Sequence, residues 1–283
     1  MGKLYATGVV MMEQATKGSR WRWRRILSNV LILAGLALLL YPVGTWGYAW
    51  WQQRELARQL VATHPALTIP SRAYFNEDML PLKEDPFQVK TEQDAALKAA
   101  AEAKRAAAKA KRDAELASLV EAARAFTASF AADAASGVVP IGRVIIPKIG
   151  VDVVLVQGTG RGDLREGPGH WPETPLPGLG GNFVVSGHRT TYGAPFLKLD
   201  KLAVGDEIDV LLPYVAARYR VTRSLIVRPD QTDAVAQRGV EELSLATCHP
   251  IYSARQRLVV QAEMVSFKLL GTAAVPPSSG SGG

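Results

Sequence analysis

The chain has 283 residues, 48% of them hydrophobic, with a net charge of +7 and a single cysteine. One cysteine excludes an intramolecular disulfide, CxxC redox cycling and cysteine-rich zinc sites. The apolar content is ordinary for a globular core, and the modest charge carries meaning only once it is placed.

Much of that charge lies at the front. Lys17, Arg20, Arg22, Arg24 and Arg25 precede the uncharged run "ILSNVLILAGLALLLYPVGTWGYAWW", Ile26 to Trp51. A helix needs about 20 apolar residues to cross a bilayer, and this run exceeds that. Trp21 and Trp23 flank one end, and Tyr48, Trp50 and Trp51 the other, as interfacial anchors do. A cleaved signal peptide would have a shorter apolar region and a small-residue cleavage site, whereas tryptophans follow here. The basic flank predicts a cytoplasmic N-terminus and an extracytoplasmic remainder. Anionic headgroups account for that flank without a nucleic acid. No second span is expected, because "LVVQAEMVSFKLLGTAAV" carries Glu263 and Lys268.

Between residues 52 and 89, Pro65, Pro70, Pro81 and Pro86 interrupt any long helix. From Thr91 to Ser136 the chain is rich in alanine, lysine and glutamate, with no Gly or Pro, which predicts a helical stalk of roughly 70 Å. Its first half is polar all round. In its second half Leu116, Leu119, Val120, Ala123, Phe126 and Phe130 recur at spacings of three and four, a stripe that should dock on the following domain. After residue 137 the texture changes to short β-type runs: "RVIIPKIGVDVVLVQG", "NFVVSGH", "EIDVLLP", "YRVTRSLIV", "LSLAT" and "RLVVQAEMV". Gly and Pro clusters separate them, and "GPGHWPETPLPGLGGN" reads as an extended loop. This predicts one all-β domain, sandwich or barrel, of ordinary domain size. The tail, residues 271–283, is low-complexity and reads as disordered.

Chemistry centres on Cys248. A thiol near its ordinary pKa is mostly protonated at neutral pH, and a nucleophilic one needs a neighbouring base or cation. Of the four histidines, His64 lies outside the β domain, and strand alternation sends His249 to the face opposite Cys248. His188, at the end of an apolar strand, and His170, in a Gly/Pro loop, both remain open as the base. A third group should be cationic or donate to a developing oxyanion. If "LSLAT" and "RLVVQ" are neighbouring strands, Arg257 lies beside Cys248; Arg255 shares its side-chain parity.

The block from about Ile141 to Val265 resembles the sortases, membrane-anchored cysteine transpeptidases. The resemblance is carried by "IGRVIIPKIGVDVVLVQGT", "GPGHWPETPLPG", "GNFVVSGHRTTYGAPFLKLDKLAVGDEI", "LSLATCHP" and "RQRLVVQAEM", in that order. It implies an eight-stranded β-barrel and a catalytic set of His188, Cys248 and Arg257, with Thr247 beside the nucleophile. The "GHRTTYGAPF" wording and the proline after Cys-His look most like the class E sortases of actinobacteria. There a Tyr often stands where this chain has Trp171, in a loop thought to read the second residue of an LAxTG signal. Trp171 and Thr247 are thus the expected substrate-binding residues. A weak echo of an Asp-Pro-aromatic lid occurs at Asp85-Pro86-Phe87.

The expected organisation is a basic cytoplasmic segment (1–25), a transmembrane anchor (26–51), a linker with an alanine-rich stalk (52–136), the catalytic barrel (137–270) and the tail. The resemblance implies cleavage of an LAxTG/LPxTG-type sorting signal through a thioacyl enzyme. The protein is then passed to a cell-wall amine, with no metal and no cofactor. A pilin polymerase using a pilin amine, and a catalytically silent tethered β domain, are the competing expectations.

Overall fold

The computed structural model describes residues 4–68, 75, 79–82, 95–133 and 138–271. The chain divides into two compact units, Met1–Gly47 and Tyr48–Gly283. The lid echo at Asp85-Pro86-Phe87 and the tail from residue 272 onward lie outside the described residues.

Helix α1 runs from Leu4 to Thr63 and stops just ahead of Pro65, whose ring disfavours helix in the residue before it. The apolar run lies within α1, but the side chains at positions 26–28, 37–39 and 42 are outside the description. Among the described residues no helix is long and apolar enough to cross a membrane. The expected transmembrane helix is therefore not found there.

In the second unit α1 continues as a packing element. Leu56 and Leu60 are buried, Leu56 beside Val154 and Val156, and Leu60 beside Ile145 and Leu211. Gln53 bridges two backbone groups: its side-chain oxygen accepts from Val154 N–H at 2.7 Å and its amide donates to the Glu166 carbonyl at 2.8 Å. A side chain thereby completes an open strand edge that would otherwise leave a backbone donor unpaired.

Helix α2 spans Ala95–Asp133. Leu119, Ala122, Ala123 and Phe126 are buried in the same cluster as the sheet core, so the second half of the stalk docks on the barrel. Phe126 packs edge-on to His64 at 5.9 Å and against Tyr214 at 5.4 Å. Burying side chains of this size contributes about 1.5–3 kcal/mol each.

The described residues form nine strands: β1 (Leu80–Pro81), β2 (Pro140–Ile146), β3 (Val151–Gln157), β4 (Gly169–His170), β5 (Asn182–Ser186), β6 (Glu207–Leu212), β7 (Val215–Val227), β8 (Glu242–His249) and β9 (Gln256–Leu269). Eight of them close into a barrel in the order β9-β7-β6-β2-β3-β4-β5-β8, sealed by the β8–β9 pair. The ninth, β1, extends the β8 edge of β9 by pairing with Ser266 and Phe267. The expected eight-stranded barrel is present. The first predicted run splits at Pro147–Ile149, where Gly150 takes φ +72° to close the turn.

Alternation sorts the barrel walls into two faces. Phe183 and Val185 of β5, Leu243 and Leu245 of β8, and Leu258 and Val260 of β9 form the interior. Ser186, Ala246 and Val259 have the opposite parity and lie on the outer face. β4 was hidden in the sequence inside the Gly/Pro loop, because two residues carry no periodicity.

Candidate active site

Strands β5, β8 and β9 are consecutive around the barrel, and their ends assemble the residues of interest. β5 and β8 run parallel, with Ser186 opposite Ala246, and the Gly187 N–H donates to the Ala246 carbonyl at 3.0 Å. His188 follows the last β5 pair by two residues, as Cys248 follows its partner on β8. β8 and β9 run antiparallel, with Cys248 opposite Arg257. Because the Ala246 carbonyl faces β5, so do the backbone groups of Cys248. Cys248 and Arg257 are therefore a non-hydrogen-bonded pair, the kind whose side chains stand closer. By parity Cys248 and Arg257 share the outer face, and His188 lies two residues past the outward-facing Ser186.

Cys248 is half-buried and its sulfur is free. The His188 ring lies against Tyr192 at 5.1 Å between centroids, and the Arg165 guanidinium is 5.8 Å from the other partner of that contact, the Tyr192 ring. The pKa of His188 is lowered, first by burial and then by the charge of Arg165. No hydrogen bond joins the His188 ring to the Cys248 thiol among the described residues; catalytic hydrogen bonds often tighten only when substrate arrives. The Arg257 guanidinium donates from one nitrogen to the carbonyls of Ala254 and Gln256, both at 3.0 Å. Arg255 lies outside the ladder and is exposed.

The turn after His188 is strained. Tyr192 and Ala194 adopt φ +49° and +46°, on either side of Gly193 at φ +76°. Non-glycine residues in this region cost about 1–3 kcal/mol each and gather at functional sites. A side chain on Gly193 would also meet the methyl of Ala49 at 2.9 Å, so glycine serves both the φ and the close approach of α1. Helix α3 (Arg161–Glu166), which carries Arg165, is held from the same side by Tyr48, whose hydroxyl donates to Glu166 at 3.0 Å.

His170 occupies a different setting. It opposes Val185 across β4–β5 and points inward, 4.9 Å from the Phe183 ring. Nε2 lies 3.0 Å from the Thr174 carbonyl, and Nδ1 faces the side-chain amide of Gln157 at 2.7 Å. Burial lowers its pKa to about 4. With both ring nitrogens occupied it has none to offer Cys248.

Trp171, the next residue, turns outward. Its indole N–H donates to the Ser186 hydroxyl at 2.7 Å, so the ring presents only apolar surface. Thr247 is buried, and its hydroxyl donates to the Gly187 carbonyl at 2.7 Å. That bond ties β8 to the segment leading into His188, which makes Thr247 part of the frame of the site. One residue went unassigned in the sequence reading: Arg189, buried beneath Cys248 and His249. Its only signal was its place after His188 in "GHRTTYGAPF".

A closed eight-stranded barrel with a solitary cysteine, an arginine across the ladder and a histidine at the neighbouring strand end defines a cysteine-centred β-barrel of one class. Residues 144–265 match the sortase domain family, and on that domain the chain belongs to the sortase family. It is 34% identical over 125 residues to sortase D of Bacillus subtilis, covering 43% of this chain and 62% of that protein. Against sortase SrtE1 of Streptomyces coelicolor it is 31% identical over 136 residues, covering 42% of this chain and 39% of that one. Among solved structures, a sortase D5 transpeptidase of Clostridium perfringens is 30% identical, with a TM-score of 0.42 over 45% of this chain and 79% of that one. The chain thus spans less than two thirds of the length of the curated relatives it matches.

Proposed function

We propose that this chain is a membrane-anchored cysteine transpeptidase that cleaves an LAxTG/LPxTG-type sorting signal between Thr and Gly. The single observation that supports this reading is the alignment of the ends of β5, β8 and β9: Cys248 opposes Arg257 across β8–β9, and His188 follows Ser186 by two residues as Cys248 follows the partner of Ser186, Ala246.

Burial and then the charge of Arg165 lower the pKa of His188, which favours the neutral imidazole that accepts the thiol proton as Cys248 attacks the Thr–Gly carbonyl. Arg257 donates to the oxyanion of the tetrahedral intermediate. Collapse breaks the C–N bond; His188 returns the proton to the departing Gly amine, leaving a thioester on Cys248. An amine then attacks the thioester, His188 takes its proton, and the thiol is regenerated as the new amide forms. The acceptor amine belongs to a cell-wall precursor, and the substrates are surface proteins bearing the signal.

Anchoring rests on the basic flank and the uncharged run. On α1, Leu31, Leu33, Leu40 and Trp50 are 64%, 66%, 59% and 63% exposed. A run of bare large apolar side chains calls for a covering of matching chemistry, and lipid supplies it. The orientation follows from the basic residues, with the N-terminus cytoplasmic and the barrel outside.

The test is acyl-enzyme capture. Wild-type chain incubated with an LAxTG or LPxTG peptide should gain the mass of the fragment ending in Thr, and Cys248→Ala should gain nothing while its circular dichroism is unchanged. Residual peptide cleavage by Cys248→Ala at about a tenth of the wild-type rate would refute the assignment, since losing a covalent nucleophile costs orders of magnitude more.

A further inference from the structure

β5 and β8 part company at the site. The last rung between them runs from Gly187 N–H to the Ala246 carbonyl. In a parallel ladder two more rungs would follow, from Cys248 N–H to the Gly187 carbonyl, which here accepts the Thr247 hydroxyl, and then from the backbone N–H of residue 189 to the carbonyl of Cys248. The guanidinium of Arg189 stands in place of the second, donating from Nη1 to the Cys248 carbonyl at 3.3 Å and to His249 Nδ1 at 3.0 Å. Nε donates to the Leu197 carbonyl at 3.4 Å, and Nη2 pairs with Asp200 at 3.1 Å. The Arg189 side chain is 2% exposed against 36% for Asp200. A buried arginine held by four partners is expensive to desolvate, and a core could be built without it.

We propose that Arg189 is a positioning residue. Its planar fork replaces a missing backbone rung and fixes the Cys248–His249 strand end relative to the segment carrying His188. The strand is thereby free to turn outward after Gly187 without letting the nucleophile drift. Asp200, on the turn Leu199–Lys201, neutralises the fork and sets its plane. A lysine in this place would keep the charge but could not reach four acceptors in one plane. The proposal rests on reading Cys248 as the nucleophile.

The experiment compares full-length wild type, Arg189→Lys and Asp200→Asn in detergent micelles. It measures kcat and KM on a sorting-signal peptide, Tm, and the rate at which iodoacetamide alkylates Cys248. Arg189→Lys should lower kcat by at least about tenfold, as misplacement of reacting groups does, with KM within about twofold. Its alkylation rate should differ from wild type by about threefold or more in the folded protein and not at all in urea. Asp200→Asn, which leaves Arg189 in place, should show the same pattern at about a third of that size in kcat, and it carries the test if Arg189→Lys does not fold. Normal kcat and normal alkylation in a folded variant would overturn the proposal, as would a kcat loss matched only by loss of folded protein. Alkylation needs no peptide. Wild type that alkylates normally but never turns over peptide would sink the transpeptidase reading, and the positioning role would then stand or fall on the alkylation arm.

Discussion

Two histidines eighteen positions apart stand at opposite faces of the same stretch of barrel wall. His170 opposes Val185, faces inward and has both ring nitrogens occupied by Gln157 and Thr174. His188 follows the outward-facing Ser186 by two residues, with its ring against Tyr192 and no hydrogen bond to either nitrogen among the described residues. Burial lowers both pKa values, yet the consequences diverge. On His170 a neutral ring locks β4 to its turn; on His188 the ring nitrogens stay open for the proton transfers proposed for it. What separates structure from chemistry here is saturation: a polar group whose valences are all filled by the fold has nothing left to give a substrate.

The sharpest way to break this comparison is to delete each ring. His188→Ala should lower kcat/KM by about 10²–10⁴-fold, the usual worth of a general acid–base, with little change in Tm. His170→Ala should do the reverse, losing stability while its folded fraction turns over within about threefold of wild type. Peptide cleavage assays alongside thermal melts decide the matter. Equal catalytic losses would mean that the inward ring is not merely structural.

Arg257 extends the contrast along the outer face. Its present partners are the carbonyls of Ala254 and Gln256 at its own strand entry, which a substrate oxyanion would outcompete. Arg257→Lys is expected to lose about 10²–10³-fold in kcat, nearly as much as Arg257→Ala, because an ammonium cannot copy a planar fork. Steady-state kinetics on both variants test this. Near-normal turnover in Arg257→Lys would mean that charge alone matters, and a severe defect in Arg255→Ala would shift the role to the exposed neighbour.

A third test is titration. The fold holds His170 at a pKa of about 4 against an ordinary 6.5, so below pH 6.5 the unfolded chain binds a proton that the folded one refuses. Its contribution to stability is full above about pH 6.5 and is lost as pH falls towards 4, to the extent of about 3 kcal/mol. Urea midpoints for wild type should therefore fall across that window more steeply than for His170→Gln. Parallel slopes in the two proteins would show that the inward ring is not held neutral.

Much of this was legible in the sequence, and the reasons are local. The six apolar runs became strands because β periodicity and turn residues are short-range signals, and the Leu119–Phe126 stripe docked on the barrel as its spacing required. The adjacency of Cys248 and Arg257 followed from one assumption, that a single hairpin joins β8 to β9. The choice between His170 and His188 did not follow, since it depends on β4, a two-residue strand whose register alone turns one ring inward. Arg189 was equally invisible. Its role arises where β5 and β8, about sixty residues apart in sequence, run out of shared rungs.

The smallest expected effect belongs to Trp171, and it tests whether the outer face next to His170 reads substrate at all. The residue immediately follows β4, so alternation sends the indole outward while the histidine before it points in. Its N–H is already given to Ser186, so no donor remains and the ring can discriminate only by shape. An apolar wall of this kind accepts a small alanine beneath it, whereas a proline ring must push the indole off its Ser186 bond. LAxTG peptides should therefore be preferred over LPxTG by a margin of about 1–3 kcal/mol at most, the range available to an apolar pocket. Trp171→Ala removes the wall and should raise the LPxTG rate relative to LAxTG, while Ser186→Ala, which frees the indole without deleting it, should move the ratio part of the way. Measuring kcat/KM for both peptides on the three proteins is enough. A ratio unchanged by either substitution would show that Trp171 braces β5 and reads nothing.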